Sequence, residues 1–454
     1  LNLLFKSLSY TKYLCMKKLF FVRVFLAAFF LYALGCSVEN EMDGSSSENK
    51  TSRPNILLVI ADDMGLDASP GYSLGETKPS MPNLMSLMGS GIRFNNVWVN
   101  PVCSPTRATI LTGKYGFRTG VLWPGDALSS SETSIHRLLK EASPEYSHAI
   151  IGKWHLSNIV SQPTDMGVDY FAGIMSGVKS YYSWNLIQNG QTTNSSSYIT
   201  SKLTDLAIEW TAEQTQPWFL WLAYNAPHAP FHLPPSELHS QGALPNDSSS
   251  INANPLPYYM AMIEALDSEM GRLLNSFSKE ILDNTLIIFI GDNGSPNEVV
   301  QVYNSKRAKG SIYQGGINVP MVISGKNVTR ADDSEDALIN GSDLFATILD
   351  IAGAGISEKN DSKSFKGLLS TSNTSTRKYV YSEKYNSQTL GQDYTIRNET
   401  HKYLFFNDGK EALYDLSDNP LEFPNLLSPN QLPLNAINGA AKNELVLQLG
   451  IIRN

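Results

Sequence analysis

Four apolar runs of this 454-residue chain end in ionisable residues. "NILLVIADD" closes on Asp62 and Asp63, and "SHAIIGKWH" on Lys153 and His155. "WFLWLAYNAPH" closes on His228, and "NTLIIFIGDNG" carries Asp292 and Asn293. Any one of these endings also fits an Asx turn or a helix cap. Four together bring acid, amide, imidazole and ammonium groups to the carboxyl ends of strands, where open α/β sheets bind ligands. Asp62, Asp63, Asp292 and Asn293 are hard oxygen donors, suited to Ca2+ or Mg2+ and not to Zn2+, which favours His and Cys. Between the first two runs lies "PVCSPTRATILTGKYGFRTGV", with Arg107 four residues after Cys103. On a helix beginning near Pro105, Arg107 reaches back toward position 103.

These residues need a scaffold, and the same runs predict it. Wholly apolar segments bounded by polar residues are the pattern of strands buried on both faces, as parallel sheets require. A further such run is "VPMVISG" (319–325). Helical patterns lie between them at 81–91, 132–142, 196–214 and 258–277, and another follows at about 335–353. Strands alternating with helices predict an α/β domain with a large, mostly parallel central sheet flanked by helices. Beyond residue 370 the character changes: "RKYVYSEKY", "DYTIRNETHKYLFF" and "EALYDLSDNP" predict a short antiparallel sheet, closed by a helix over "LNAINGAAKNELVLQLG". The expected organisation is a signal segment (1–36), a flexible tether (37–53), a catalytic domain (54–370) and a smaller C-terminal subdomain (371–454).

The apolar share is 42% and the net charge is −8, which excludes a global basic field for nucleic acid or anionic lipid. From Met16 the chain reads "MKKLFFVRVFLAAFFLYALGC", a basic start and an apolar run ending in small residues, the pattern of a secretory signal. Cys36 sits where a bacterial lipoprotein is cleaved and lipidated, so the expectation is an exported protein, periplasmic or held at the outer membrane of a Gram-negative bacterium. Cys15 precedes Met16 and would be lost from the mature chain. Of the three cysteines this leaves Cys103 as the single thiol of the exported domain. Such a thiol is either inert and buried or chemically special.

"CSPTRATILTGKY" resembles the C-x-P-x-R signature of the sulfatase family, within the alkaline-phosphatase-like superfamily. "NILLVIADDMG", "GKWHL", "NAPHAPF", "GDNG" and "KGSIYQGGINVP" match its remaining blocks in family order, and "LYDLSDNPLEFPNL" resembles its closing segment. The resemblance runs from 54 to about 430. It implies that Cys103 is oxidised by a formylglycine-generating or anaerobic maturating enzyme to formylglycine, whose hydrate is the nucleophile. It also implies a calcium ion held by Asp62, Asp63, Asp292 and Asn293, with magnesium as the other candidate and an oxygen of the modified residue 103 as a further ligand.

The resemblance gives the remaining residues their roles. Arg107 pairs with the formylglycine, and Lys153 binds sulfate and formylglycine oxygens. His155 takes a proton so that the sulfated intermediate expels sulfate. His228 and Lys309 flank the leaving oxygen, and one of them protonates it. His232, Lys306 and Arg307 lie outside the family pattern and are candidate contacts for a substrate anion, or else solvent-facing charges. Gly291, Gln314 and Ser157 depart from the family's usual Ser, Glu and Gly without removing a catalytic group. The expected activity is hydrolysis of sulfate monoesters, on sulfated polysaccharide fragments or a small aryl sulfate. The aromatic stretch "VKSYYSWNLIQNG" (178–190) offers faces for sugar rings, or packs in the core. A phosphoester or phosphonate hydrolase and an inactive carbohydrate-binding relative are the alternatives on the same fold.

Overall fold

In the computed structural model, which describes residues 53–375, 377–386 and 390–454, the run Asn55–Ala61 is a strand, β1, buried at every position. The signal segment, Cys36 and nearly all of the tether lie outside the described residues. Along β1 the side chains alternate between two cores. Ile56, Leu58 and Ile60 join one, with helices Cys103–Thr112, Ile135–Ala142 and Asp343–Ile351. Leu57, Val59 and Ala61 join the other, with helices Pro82–Gly89, Ile199–Ala212 and Leu256–Ser276. Period-2 alternation between two apolar faces is what a sheet covered by helices on both sides demands.

The remaining strands of this sheet are β2 (Gly91–Phe94), β4 (Ser147–Lys153), β5 (Tyr170–Ile174), β6 (Trp184–Gln188), β7 (Gln191–Ser195), β8 (Trp218–Ala223), β9 (Thr285–Gly291), β10 (Met321–Gly325) and β11 (Asp333–Glu335). Their spatial order is β11-β2-β10-β9-β1-β8-β4-β5-β6-β7. From β9 across to β5 every pairing is parallel. Strand β10 runs against both β9 and β2, so the sheet is mixed and mostly parallel. Two small pairs lie outside it: β3 (Val97–Trp98) with β12 (Ile339–Asn340), and β13 (Glu358–Lys359) with β14 (Ser362–Lys363).

Strands β15 (Val380–Asn386), β16 (Gly391–Arg397), β17 (His401–Phe405) and β18 (Glu411–Asp415) form an antiparallel sheet in that order. Helix Ala436–Arg453 packs on it through Leu445 and Leu449, beside Ile396, Tyr403 and Leu413.

Two stretches differ from the sequence expectation. The helix expected from about 335 begins only at Asp343. Its side chain accepts the backbone N–H of Asn340 and of Lys363, at 2.9 Å each, and so ties an extended lead-in, broken at Gly341, to the next loop. The aromatic stretch 178–190 runs into a hairpin, β6 and β7, whose turn residues Asn189 and Gly190 both have positive φ. Asn-Gly is the favoured pair for such a turn, because both central residues must adopt the left-handed region. No helix among the described residues is long and apolar enough to cross a membrane.

Candidate active site

The parallel register sets the site. Ala61 pairs with Gly291, so Asp62 and Asp292 follow side by side, and the N–H of Asp292 donates to Ala61 O at 3.0 Å. Asp63 turns back with φ 73, and its N–H donates to Asp292 Oδ1 at 3.0 Å. Strand β4 approaches β8 so closely that a Cβ on Gly152 would lie 1.9 Å from Ala223 O, and Gly152 has φ 114. Only glycine allows that approach, and it delivers Lys153 and His155 to the same edge.

Three buried carboxylates meet three cationic side chains there, of which Lys153 and Arg107 are buried and Lys309 is partly exposed. Lys153 Nζ donates to Asp62 Oδ2 at 2.5 Å, and Lys309 Nζ to Asp63 Oδ2 at 2.5 Å. Arg107 donates from one nitrogen to Asp292 Oδ2 and from another to Lys153 O, both at 2.8 Å. His228 Nε2 stands 3.7 Å from Asp63 Oδ2. Burial alone would raise the carboxyl of Asp62, but Lys153, His228, Arg107 and Lys309 outweigh it and hold Asp62 well below the usual range. Asp292 goes the other way: burial and the charge of Asp62 push it up to about 7, against Arg107 and Lys153.

The donor set fits a hard divalent cation. Asp62 Oδ1 and Asn293 Oδ1 are buried and have no hydrogen-bond partner among the described residues, which is costly unless something electropositive meets them. Asn293 is oriented by its amide, which donates to Asp63 Oδ1 at 2.8 Å and leaves the oxygen free. Asp62, Asp63 and His228 also offer ligand atoms within 4.8 Å of one another. All the oxygen donors are carboxylate or amide groups, the chemistry of calcium or magnesium sites.

Helix Cys103–Thr112 starts at Cys103 itself, two residues earlier than Pro105 suggests, with Val102 as its extended cap residue. Cys103 is buried, and its Sγ lies 3.1 Å from His155 Nδ1. Burial pushes the thiol up, Asp62 and Asp292 push it further, and Lys153 opposes them, so Cys103 sits there as a neutral thiol. As a thiol it is a poor nucleophile. His155, with φ 58, is lowered to about 2, first by burial and then by Lys153, so its imidazole is neutral.

The structure therefore brings together Asp62, Asp63, Cys103, Arg107, Lys153, His155, His228, Asp292, Asn293 and Lys309. It distributes the other three candidates elsewhere. His232 lies in an aromatic cluster, its ring 4.0 Å from that of Tyr181 and its Nε2 3.2 Å from Tyr198 Oη. Burial lowers it to about 4, so it carries no charge for an anion at neutral pH. Arg307 lies over the rings of Tyr313 and Tyr414 and donates to Glu422 O at 2.9 Å, facing the second sheet. Lys306 is exposed in the turn Ser305–Arg307.

Sequence reasoning missed two residues here. Tyr181 Oη lies 2.8 Å from Asn225 O and 2.7 Å from His228 O, bracing the turn that carries His228. Asn225, fully buried two residues past the end of β8, has no partner among the described residues for either side-chain polar atom. Tyr181 lies in the aromatic stretch 178–190 and Asn225 opens "NAPHAPF", but neither residue type nor spacing assigns them these places.

A family model described as Sulfatase matches residues 54–354, and one described as N-sulphoglucosamine sulphohydrolase, C-terminal, matches 303–446. The chain is 30% identical over 363 residues to the uncharacterized sulfatase YdeN of Escherichia coli; the match covers 67% of this chain and 63% of that protein. It is 25% identical over 479 residues to the N-acetylglucosamine-6-O-sulfatase of Bacteroides thetaiotaomicron, with 84% and 83% covered. Among solved structures, Ps i-CgsB superposes with a TM-score of 0.75 at 25% identity, over 87% of this chain and 93% of that one. The same Ps i-CgsB has also been solved in complex with k-i-k-neocarrahexaose.

Proposed function

The chain belongs to the sulfatase family, and from that premise we propose that it hydrolyses sulfate monoesters of carbohydrates to an alcohol and free sulfate. The observation that carries this reading is the gathering of a buried, neutral Cys103 thiol, three buried carboxylates, buried Lys153 and Arg107, and the partly exposed Lys309 at one sheet edge. The sulfated-sugar substrate class is supported by the relative named as an N-acetylglucosamine-6-O-sulfatase and by the neocarrahexaose complex of Ps i-CgsB.

Cys103 matured to formylglycine would supply a hydrated aldehyde oxygen as nucleophile, and calcium on Asp62, Asp63, Asp292 and Asn293 would supply positive charge for the sulfate oxygens. The chain's own residues do the rest. Arg107 fixes Asp292 and the Lys153 carbonyl together, so the acid cluster and β4 keep one geometry. Lys153 and Lys309 place ammonium groups within the cluster, where an anionic ester needs cations around its oxygens. His155, uncharged and beside position 103, accepts a proton from a hydroxyl carried there. His228 and Lys309 converge on Asp63, and one of them donates the proton to the departing alcohol. Export, with Cys36 as lipid acceptor and a maturating enzyme acting on Cys103, completes the proposal; it rests on the segment from Met16 and on the C-x-P-x-R motif.

The test is free sulfate released from sulfated oligosaccharides and an aryl sulfate, with a phosphate ester alongside, by protein co-produced with a formylglycine-generating enzyme. Cys103→Ala is expected to lower turnover at least about 10³-fold while the protein stays folded. Turnover close to wild type in that variant, or phosphate release without sulfate release, would sink the proposal.

A further inference from the structure

Asn225 is 0% exposed, and both its Nδ2 and its Oδ1 are without a hydrogen-bond partner among the described residues. Its backbone is engaged, because its carbonyl meets Tyr181 Oη at 2.8 Å and accepts the N–H of His228 at 2.9 Å. The register gives its place. Ala223 pairs with Ile60 on one side and Gly152 on the other. Two residues further along each strand come Asp62, Asn225 and Trp154, so Asn225 stands level with Asp62 and with the turn carrying Lys153 and His155. The N–H of Asp62 donates to Ala226 O at 3.1 Å, which ties that level together.

A buried amide left unmet costs about 1–3 kcal/mol per polar group. An apolar residue of similar size would avoid that cost, so the amide is retained for something that meets it. A carboxamide presents donor and acceptor side by side. Sulfate oxygens only accept and would leave Oδ1 orphaned. Of the groups a sugar sulfate or a hydrated aldehyde brings, the one that donates and accepts at once is a hydroxyl. We propose that Asn225 is a hydroxyl-binding residue of the active site, with Tyr181 as the positioning residue that holds its backbone and that of His228. The hydroxyl belongs to the sugar, next to the sulfated carbon, or to the matured residue 103. This rests on the sulfatase reading.

The experiment compares wild type, Asn225→Ala and Asn225→Leu on three esters. These are a sugar sulfate with a hydroxyl beside the ester, its deoxy analogue, and an aryl sulfate. If the sugar supplies the hydroxyl, the variants lose about 10- to 100-fold in kcat/KM on the first ester only. Binding of that ester to the Cys103→Ala form then weakens in parallel when Asn225 is also replaced. If residue 103 supplies it, kcat falls about equally on all three esters with KM unchanged. Asn225→Leu with wild-type kinetics on all three would overturn the inference. So would equal losses of activity and melting temperature in Asn225→Ala, rescued in Asn225→Leu, since that marks a packing role. Absence of sulfate release by the wild type would instead count against the sulfatase reading, while the binding comparison still decides whether Asn225 meets a sugar hydroxyl.

Discussion

Arg107 is 1% exposed and bridges two buried acceptors, the Asp292 carboxylate and the Lys153 carbonyl. Replacing it with Met leaves Asp292 beside Asp62 with no guanidinium, and breaking a buried pair of this kind costs about 3–5 kcal/mol. Urea denaturation of Arg107→Met should show that loss. Arg107→Lys should recover only part of it, because an ammonium cannot span both Asp292 and the Lys153 carbonyl as the fork does. The orphaned oxygens of Asp62 and Asn293 lead to a second expectation. Calcium at a hundredfold its dissociation constant should stabilise the protein by about 2.7 kcal/mol, read as a rise in melting temperature that EDTA reverses. Asp62→Asn should shrink that rise; an unchanged rise would place the ion elsewhere. At this scale the sequence exposed the groups whose type alone announces chemistry. It concealed Asn225, because an amide's role there depends on what its neighbours fail to bond.

Strands were the most legible elements, since a stretch such as β1 must be apolar throughout to be buried on both faces. The hairpin β6–β7 was within reach through Asn189-Gly190, but the aromatic residues around it drew the reading toward sugar contact. Most of them pack instead: Tyr181 and Trp184 are buried, while Tyr182 remains 42% exposed. Helix Ile135–Ala142 carries a titratable group away from the catalytic edge. His136 is fully buried, stacked on Phe219 with centroids 5.2 Å apart and 5.1 Å from His148, and neither ring nitrogen has a partner among the described residues. Burial, then the neighbouring His148, lowers it well below 6.5. Below pH 6.5 the unfolded chain binds a proton that the folded one refuses, so folding stability falls as pH drops, by about 1.4 kcal/mol per unit. In His136→Leu the decline in melting temperature between pH 6.5 and 4.5 should be shallower than in wild type. An identical slope would assign the acid sensitivity to other groups.

On the scale of the molecule, one buried pair joins the second sheet to the catalytic body. Lys402 of β17 donates to Glu422 Oε1 at 2.6 Å and to Ile312 O at 2.8 Å, and lies 4.7 Å from the centroid of the Trp98 ring. Glu422 Oε2 accepts the N–H of Gln314 at 2.9 Å, and its carbonyl accepts from Arg307. Lys402→Met should destabilise by about 3–5 kcal/mol by stranding the carboxylate, and adding Glu422→Gln should restore part of that. Strictly additive losses in calorimetry would deny the coupling. The sequence showed two regions of different character, yet pairs between residues 20 apart across β18 and 90 apart across the fold leave no periodic trace. The ends of the ten-stranded sheet carry a last consequence. An open sheet has two rims of unpaired N–H and C=O groups that can recruit a foreign strand into a growing fibril. Here one rim, β11, is three residues long and begins with the exposed Asp333 and Ser334. The other, β7, turns Gln191, Thr192, Thr193 and Asn194 to water. Neither rim therefore offers the long apolar edge that invites edge-to-edge pairing, although the ten-stranded sheet is not closed into a barrel.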